Sequence, residues 1–82
     1  MNRLAPEIID FYDCEVTKMI AEKYDYEPME ALRQFVCSQT HAMLENSEMG
    51  MTMFGAGAIF DIWEAEKVTG DPRRSVYIRE DS

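Results

Sequence analysis

Cys37, His41 and Glu45 stand four residues apart, a spacing that puts all three on one side of a helix. Thiolate, imidazole and carboxylate are the donors zinc prefers, and Cys14 is the remaining cysteine that would complete a four-ligand set. Zinc sites usually draw ligands as close pairs, such as two cysteines with a short gap, and this chain has no such pair. A buried cysteine acting as a small hydrophobe and a hydrogen-bonded histidine account for the same residues. The expectation is therefore no metal and no cofactor. Cys37 beside His41 also has the composition of a nucleophile–base dyad, which needs an orienting group and an oxyanion hole. Neither has a signal in the sequence, and a small helical domain offers little concavity. No catalytic residue is assigned, and the chain is read as a non-enzyme.

Other chemistry-bearing patterns reduce to structure. The pairs Asp10/Asp13, Glu27/Glu30 and Asp61/Glu64 would do acid–base work only with one partner buried and its pKa raised; they read as solvated faces. Gly55-Ala56-Gly57 precedes a helix but lacks the third glycine of a dinucleotide fingerprint and the lysine of a P-loop. It reads as a tight turn into the helix or as close packing over small residues. Met49, Met51 and Met53 form a methionine-rich loop suited to gap filling, then to partner contact, with copper(I) a distant third. Arg73-Arg74-Ser75 has the form of a basophilic kinase site, a tripeptide common by chance. The same arginines either pair with the acidic body or, with Tyr77, form an interface anchor.

The elements that must position these residues follow from periodicity. Pro6 to about Tyr24 reads as a helix: Pro6 suits the first turn, Glu7 and Asp10 complement the dipole, and Ile8, Ile9, Tyr12, Val16, Met19, Ile20 and Lys23 trace the stripe of one helix face. Asp25-Tyr26-Glu27-Pro28 breaks it, because the residue before a proline avoids the helical region. A second helix is expected from Pro28 to about Leu44 or Glu45, with Met29, Leu32, Phe35, Val36, Gln39 and Met43 on its stripe. Residues 46–53 read as a loop. A third helix is expected from about Gly55 to Thr69, ended by Gly70 and Asp71-Pro72. Val76-Tyr77-Ile78 reads as a short extended segment packed back on the helices, with a flexible tail as the alternative. The predicted architecture is all-α, a compact three-helix bundle with a short C-terminal extended segment, in one domain over 1–82.

Charge and length narrow the function. The chain has 82 residues and a formal net charge of −8. Residues 1–66 hold 13 Asp/Glu against 4 Lys/Arg, and residues 67–82 hold 3 against 4. An acidic body repels a phosphate backbone, so direct nucleic-acid binding is not expected. No stretch approaches the ~20 apolar residues of a membrane span, and the first residues have no apolar h-region. Two cysteines are too few for a disulfide framework, which favours a reducing cytoplasm, although one bridge between them remains geometrically open.

The segment from Phe60 to Ile78, with Trp63-Glu64-Ala65-Glu66 and Gly70-Asp71-Pro72-Arg73-Arg74 inside it, resembles the C-terminal end of short helical proteins of bacteria and their mobile elements, a family of unknown function. Glu30-Ala31-Leu32-Arg33-Gln34-Phe35 is similar too. The resemblance implies a bacterial origin and an accessory role, and carries no activity, ligand or site residue.

The reading is a small cytoplasmic protein-interaction or regulatory module, bound to another protein or to itself. Expected contact points are Met51, Met53, Trp63, Arg73, Arg74 and Tyr77. The alternative is an acidic inhibitor occupying a partner's nucleic-acid-binding surface, in the manner of an anti-defence protein or antitoxin. It would use a continuous face containing Asp10, Asp13, Glu22 and Glu64. A third reading is a metal or redox sensor built on Cys14, Cys37 and His41.

Overall fold

A computed structural model describes residues 5–75. Among the described residues there are four α-helices, α1 (Pro6–Tyr24), α2 (Pro28–Val36), α3 (Gln39–Glu45) and α4 (Ala56–Thr69). Short 3₁₀ turns cover Ser47–Met49, Met51–Met53 and Pro72–Arg74. The all-α class stands, with no strand among the described residues. The helix count does not: the second helix expected over 28–45 is two helices.

Its break has a local and a distant cause. Ser38 takes extended backbone, accepts from the His41 amide at 3.1 Å, and donates its hydroxyl to the Phe35 carbonyl at 2.6 Å. It thus closes α2 and caps α3 at once. The distant cause is Glu66, one helix away on α4. Its Oε2 accepts from the Gln39 amide at 2.9 Å, and its Oε1 accepts from the Thr40 amide at 2.9 Å and the Thr40 hydroxyl at 2.7 Å. The first three amides of α3 are therefore all satisfied, two of them by a carboxylate brought in by the tertiary fold.

The other boundaries follow their residues. Pro6 and Pro28 open α1 and α2 at the first turn, where a missing N–H costs nothing. Asp25 ends α1 in the left-handed region at φ 57°, a conformation its short polar side chain tolerates. Gly70 ends α4 at φ 84° with its amide bonded to the Glu66 carbonyl. Asp71 then accepts from the Arg73 amide at 2.9 Å and caps the last 3₁₀ turn. That turn packs back on α4, and its Pro72 and the following Ser75 are buried. Gly55 and Gly57 have open space where a Cβ would stand and no left-handed backbone, so neither close packing nor a strained turn explains them.

The core is one cluster: Tyr12, Val16 and Ile20 of α1, Ala31 and Phe35 of α2, Leu44 of α3, Met51, and Ile59, Ile62 and Trp63 of α4. α1 packs along α2 and against α4, and α4 also packs on α3. The Tyr12 hydroxyl donates to the Phe54 carbonyl at 2.9 Å, which ties the methionine loop to α1. Met51 fills the core beneath that loop. The expected extended segment 76–78 lies outside the described residues.

Candidate docking surface

α2 is the helix whose apolar residues exceed what the core covers. At 100° per residue, Ala31, Phe35, Leu32, Val36 and Met29 occupy an arc of roughly 160°, wider than the ~100° stripe a core-facing helix needs. Ala31 and Phe35, on one edge of the arc, are fully buried. Leu32, in the middle, is half-buried; Met29 and Val36, on the other edge, face solvent, with Met29 75% exposed. Met29, Leu32 and Val36 line an open groove of about 490 Å³ together with Glu27, Glu30 and Arg33.

Arg33 is also a wall of a second groove, of about 500 Å³, where α2 meets α4. Gln34, Cys37, Ser38, Trp63, Glu66 and Lys67 complete it. Two cations, Arg33 and Lys67, thus flank this groove in a chain of net charge −8. Arg33 is paired with Glu30, yet its side chain is 70% exposed. The Lys67 ammonium lies 5.2 Å from the Tyr24 ring centroid, 5.7 Å from Tyr26 and 5.8 Å from Trp63, and donates to the Tyr26 hydroxyl at 3.1 Å. Ring faces hold this cation at the rim. The Glu66 carboxylate is turned to the α3 amides, so its charge is engaged by hydrogen-bond donors.

Beside this seam, the Glu64 carboxylate receives Lys23 Nζ at 2.5 Å and the Tyr24 hydroxyl at 2.7 Å. Burial pushes the Glu64 carboxyl up, but the hydrogen bonds from Lys23 and Tyr24 and the lysine charge outweigh it, so its pKa lies below the ordinary value. The same hydrogen bond raises Tyr24 first, and burial raises it further. For Glu30, the hydrogen bonds from Arg33 and then Gln34 lower the carboxyl.

The residues expected at a contact surface separate. Met53 is 81% exposed, and Arg73 and Arg74 are exposed, with Arg73 3.7 Å from Asp71. Met51 and Trp63 are each 3% exposed. Their places as surface contacts are corrected: Met51 is the core plug under its loop, and Trp63 packs edge-on to Tyr24 and donates its indole N–H to the Gln34 carbonyl. Large apolar side chains fill a small core first, which is the physical reason. Tyr77 lies outside the described residues.

The expected stack of Cys37, His41 and Glu45 is dismantled by the helix break. Cys37 is the exposed end of α2, whereas His41 is buried on α3, its ring edge-on to Phe35. His41 Nε2 is 2.7 Å from Asp13 Oδ1, and Nδ1 is 3.8 Å from Glu45 Oε1, beyond hydrogen-bond reach. The imidazole joins α3 to α1. Cys14 and Cys37 are both free and exposed. Among the described residues, no three His, Cys, Asp or Glu side chains converge on a position that could hold a metal, and no helix is long and apolar enough to cross a membrane.

The outer edge of α2 escaped sequence reading because Met29, Leu32 and Val36 belong to the same continuous stripe as Phe35. The signal was the width of the stripe. No protein-family model, curated protein or solved structure matches this chain.

Proposed function

We propose that this chain is a small helical protein-interaction module without catalytic activity of its own, docking through the outer edge of α2. One observation carries the reading: α2 is apolar over an arc about half again as wide as its core contact requires, and the surplus faces solvent as Met29, Leu32 and Val36. Scattered exposed apolar residues are ordinary, whereas three at i, i+3 and i+7 lining one groove have the form of a helix-docking surface. Arg33 at its rim supplies the charged anchor such surfaces favour. Met53, Arg73 and Arg74 are secondary contacts in this reading, on the strength of their exposure. A cytoplasmic, bacterial accessory role accords with the acidic composition and with the resemblance of residues 60–78.

The acidic-inhibitor alternative has less behind it. Of its four carboxylates, Asp13 is held by His41 and Glu64 by Lys23 and Tyr24, which leaves Asp10 and Glu22 facing outward. The sensor alternative would need Cys14, Cys37 and His41 to converge, and His41 is turned inward to Asp13.

The test is to substitute Met29→Lys with Val36→Lys, and separately Met53→Lys, and compare association with wild type by light scattering and by cross-linking in the native lysate. Loss of association only in the α2 variant, with helicity and Tm unchanged, is the expected result. Association indifferent to the α2 substitutions refutes the reading.

A further inference from the structure

Three aromatic rings surround the Lys67 ammonium. Tyr24 ends α1, Tyr26 lies in the connection to α2, and Trp63 stands one turn before Lys67 on α4. Lys67 Nζ is 5.2 Å from the Tyr24 centroid, 5.7 Å from Tyr26 and 5.8 Å from Trp63. Tyr24 and Tyr26 stack 24° from parallel, and Trp63 is turned 71° to Tyr24, so the rings bound the nitrogen from more than one direction. The Tyr24 hydroxyl donates to Glu64 Oε2 at 2.7 Å, which enriches that ring in electron density and strengthens its pull on a cation. Lys23 also lies 5.9 Å from the Tyr24 centroid, with its charge matched by Glu64.

The spacing of these rings suits a larger cation than the one they hold. Atoms in face contact close to about 3.5–4.0 Å, and a methyl group stands about 1.5 Å out from its nitrogen. A methylated ammonium touching a ring therefore keeps its nitrogen about 5.0–5.5 Å away, close to the three distances around Lys67. We propose that Tyr24, Tyr26 and Trp63 form a binding site for a quaternary ammonium ion, with Lys67 as its displaceable internal guest. Lys67 is exposed and donates one hydrogen bond here, to the Tyr26 hydroxyl at 3.1 Å, which water replaces when the side chain swings out. The groove of about 500 Å³ that Trp63 and Lys67 line gives the displaced stem room. The ligand carries the same single charge as the lysine it replaces, so the exchange leaves the local charge unchanged. Its methyl groups lose little on leaving water, whereas a primary ammonium gives up hydrogen bonds. The site shares no residue with the outer edge of α2 and goes beyond the docking surface assigned there.

The experiment titrates the full chain with tetramethylammonium chloride, against sodium chloride at equal ionic strength, and follows the indole N–H of Trp63, the one tryptophan of the chain, by NMR. A saturable shift in wild type, in the millimolar range, is the expected result. Lys67→Ala removes the competing guest and binds about tenfold tighter, whereas Tyr26→Leu removes one ring and binds about tenfold weaker. The neutral isostere tert-butanol gives no saturable shift. Circular dichroism of each variant checks that it folds. A shift reproduced by sodium chloride, or one that fails to saturate even in Lys67→Ala, overturns the site. Saturation confined to Lys67→Ala, or no gain in affinity from that substitution, overturns Lys67 as a displaceable guest. Equal binding of tert-butanol overturns recognition of the cation.

Discussion

Replacing Glu66 should unfasten α3. The carboxylate serves three donors, and their fates differ when it is lost. The Gln39 amide belongs to an exposed residue and rehydrates in place. Thr40 is fully buried, so its amide and hydroxyl are left without an acceptor in a dry site. An orphaned buried polar group costs about 1–3 kcal/mol, and these two are neighbours whose costs do not add in full, so Glu66→Ala should lose roughly 2–4 kcal/mol. Glu66→Gln keeps one carbonyl oxygen for Thr40 but turns an NH₂ toward the Gln39 amide; it should lose about half as much. A chain of this length has a total stability of about 4–12 kcal/mol. At about 4–8 °C per kcal/mol, the Ala variant should melt roughly 8–32 °C lower. Thermal and urea unfolding followed by circular dichroism measure the loss. Amide exchange at Thr40 localises it, with protection there falling before that of α1. An Ala variant within about 0.5 kcal/mol of wild type refutes the assignment of Glu66 as the cap of α3.

The pH dependence should have an acid limb owed to Glu64: its pKa is lower folded than unfolded, so its contribution is present above the ordinary value of 4.5 and is lost as pH falls through the folded value. Tm measured from about pH 6 to about pH 3 should fall less steeply in Glu64→Gln than in wild type. The two methionines of one loop should behave oppositely. Met51→Ala empties a core position and costs about 2–5 kcal/mol, whereas Met53→Ala, 81% exposed, stays within about 0.5 kcal/mol; urea midpoints separate them. Cys14 and Cys37, both exposed, should react completely with a thiol reagent in the native state without denaturant, and two equivalents released without a slow phase is the expected result.

The elements legible in the sequence are those whose signals are local. Pro6, Pro28, Gly70 and the 3–4 periodicity of Tyr12, Val16 and Ile20 mark α1, the start of α2 and the end of α4 within a residue or so. The break at Cys37–Ser38 was not legible. Periodicity runs through it, because Phe35, Gln39 and Met43 keep the helical spacing. The sequence Ser38-Gln39-Thr40-His41 resembles a cap only weakly, and the decisive acceptor, Glu66, is 26 residues from Thr40. A tertiary cap cannot be seen from spacing. The same break removes Cys37 from the company of His41, which is why the candidate ligand set dissolved. Of the residues expected at a contact surface, Met53, Arg73 and Arg74 are exposed, while Met51 and Trp63 are buried. Their types invite either role, and the choice depends on how many other large side chains the core holds.

The placement of the surplus on α2 follows from the same break. Had residues 28–45 formed one straight helix, at 1.5 Å per residue it would run about 27 Å, and Met29, Leu32, Val36 and Met43 would share one line along it. Ending α2 at Val36 and restarting at Gln39 lets α3 turn its own apolar residues, Leu44 and the half-buried Met43, onto α4 and the loop, while His41 closes on Asp13. The core is then completed by Phe35 and Leu44, and nothing among the described residues is drawn over Met29. The cap that builds α3 thus takes Met43 off the line of Met29, Leu32 and Val36 and confines the open edge to α2. A variant that weakens the cap without unfolding the chain, such as Glu66→Gln, should change association as well as stability. If association stays at the wild-type level while α3 loses its exchange protection, the open edge of α2 does not depend on the break, and the link between fold and docking surface drawn from it is wrong.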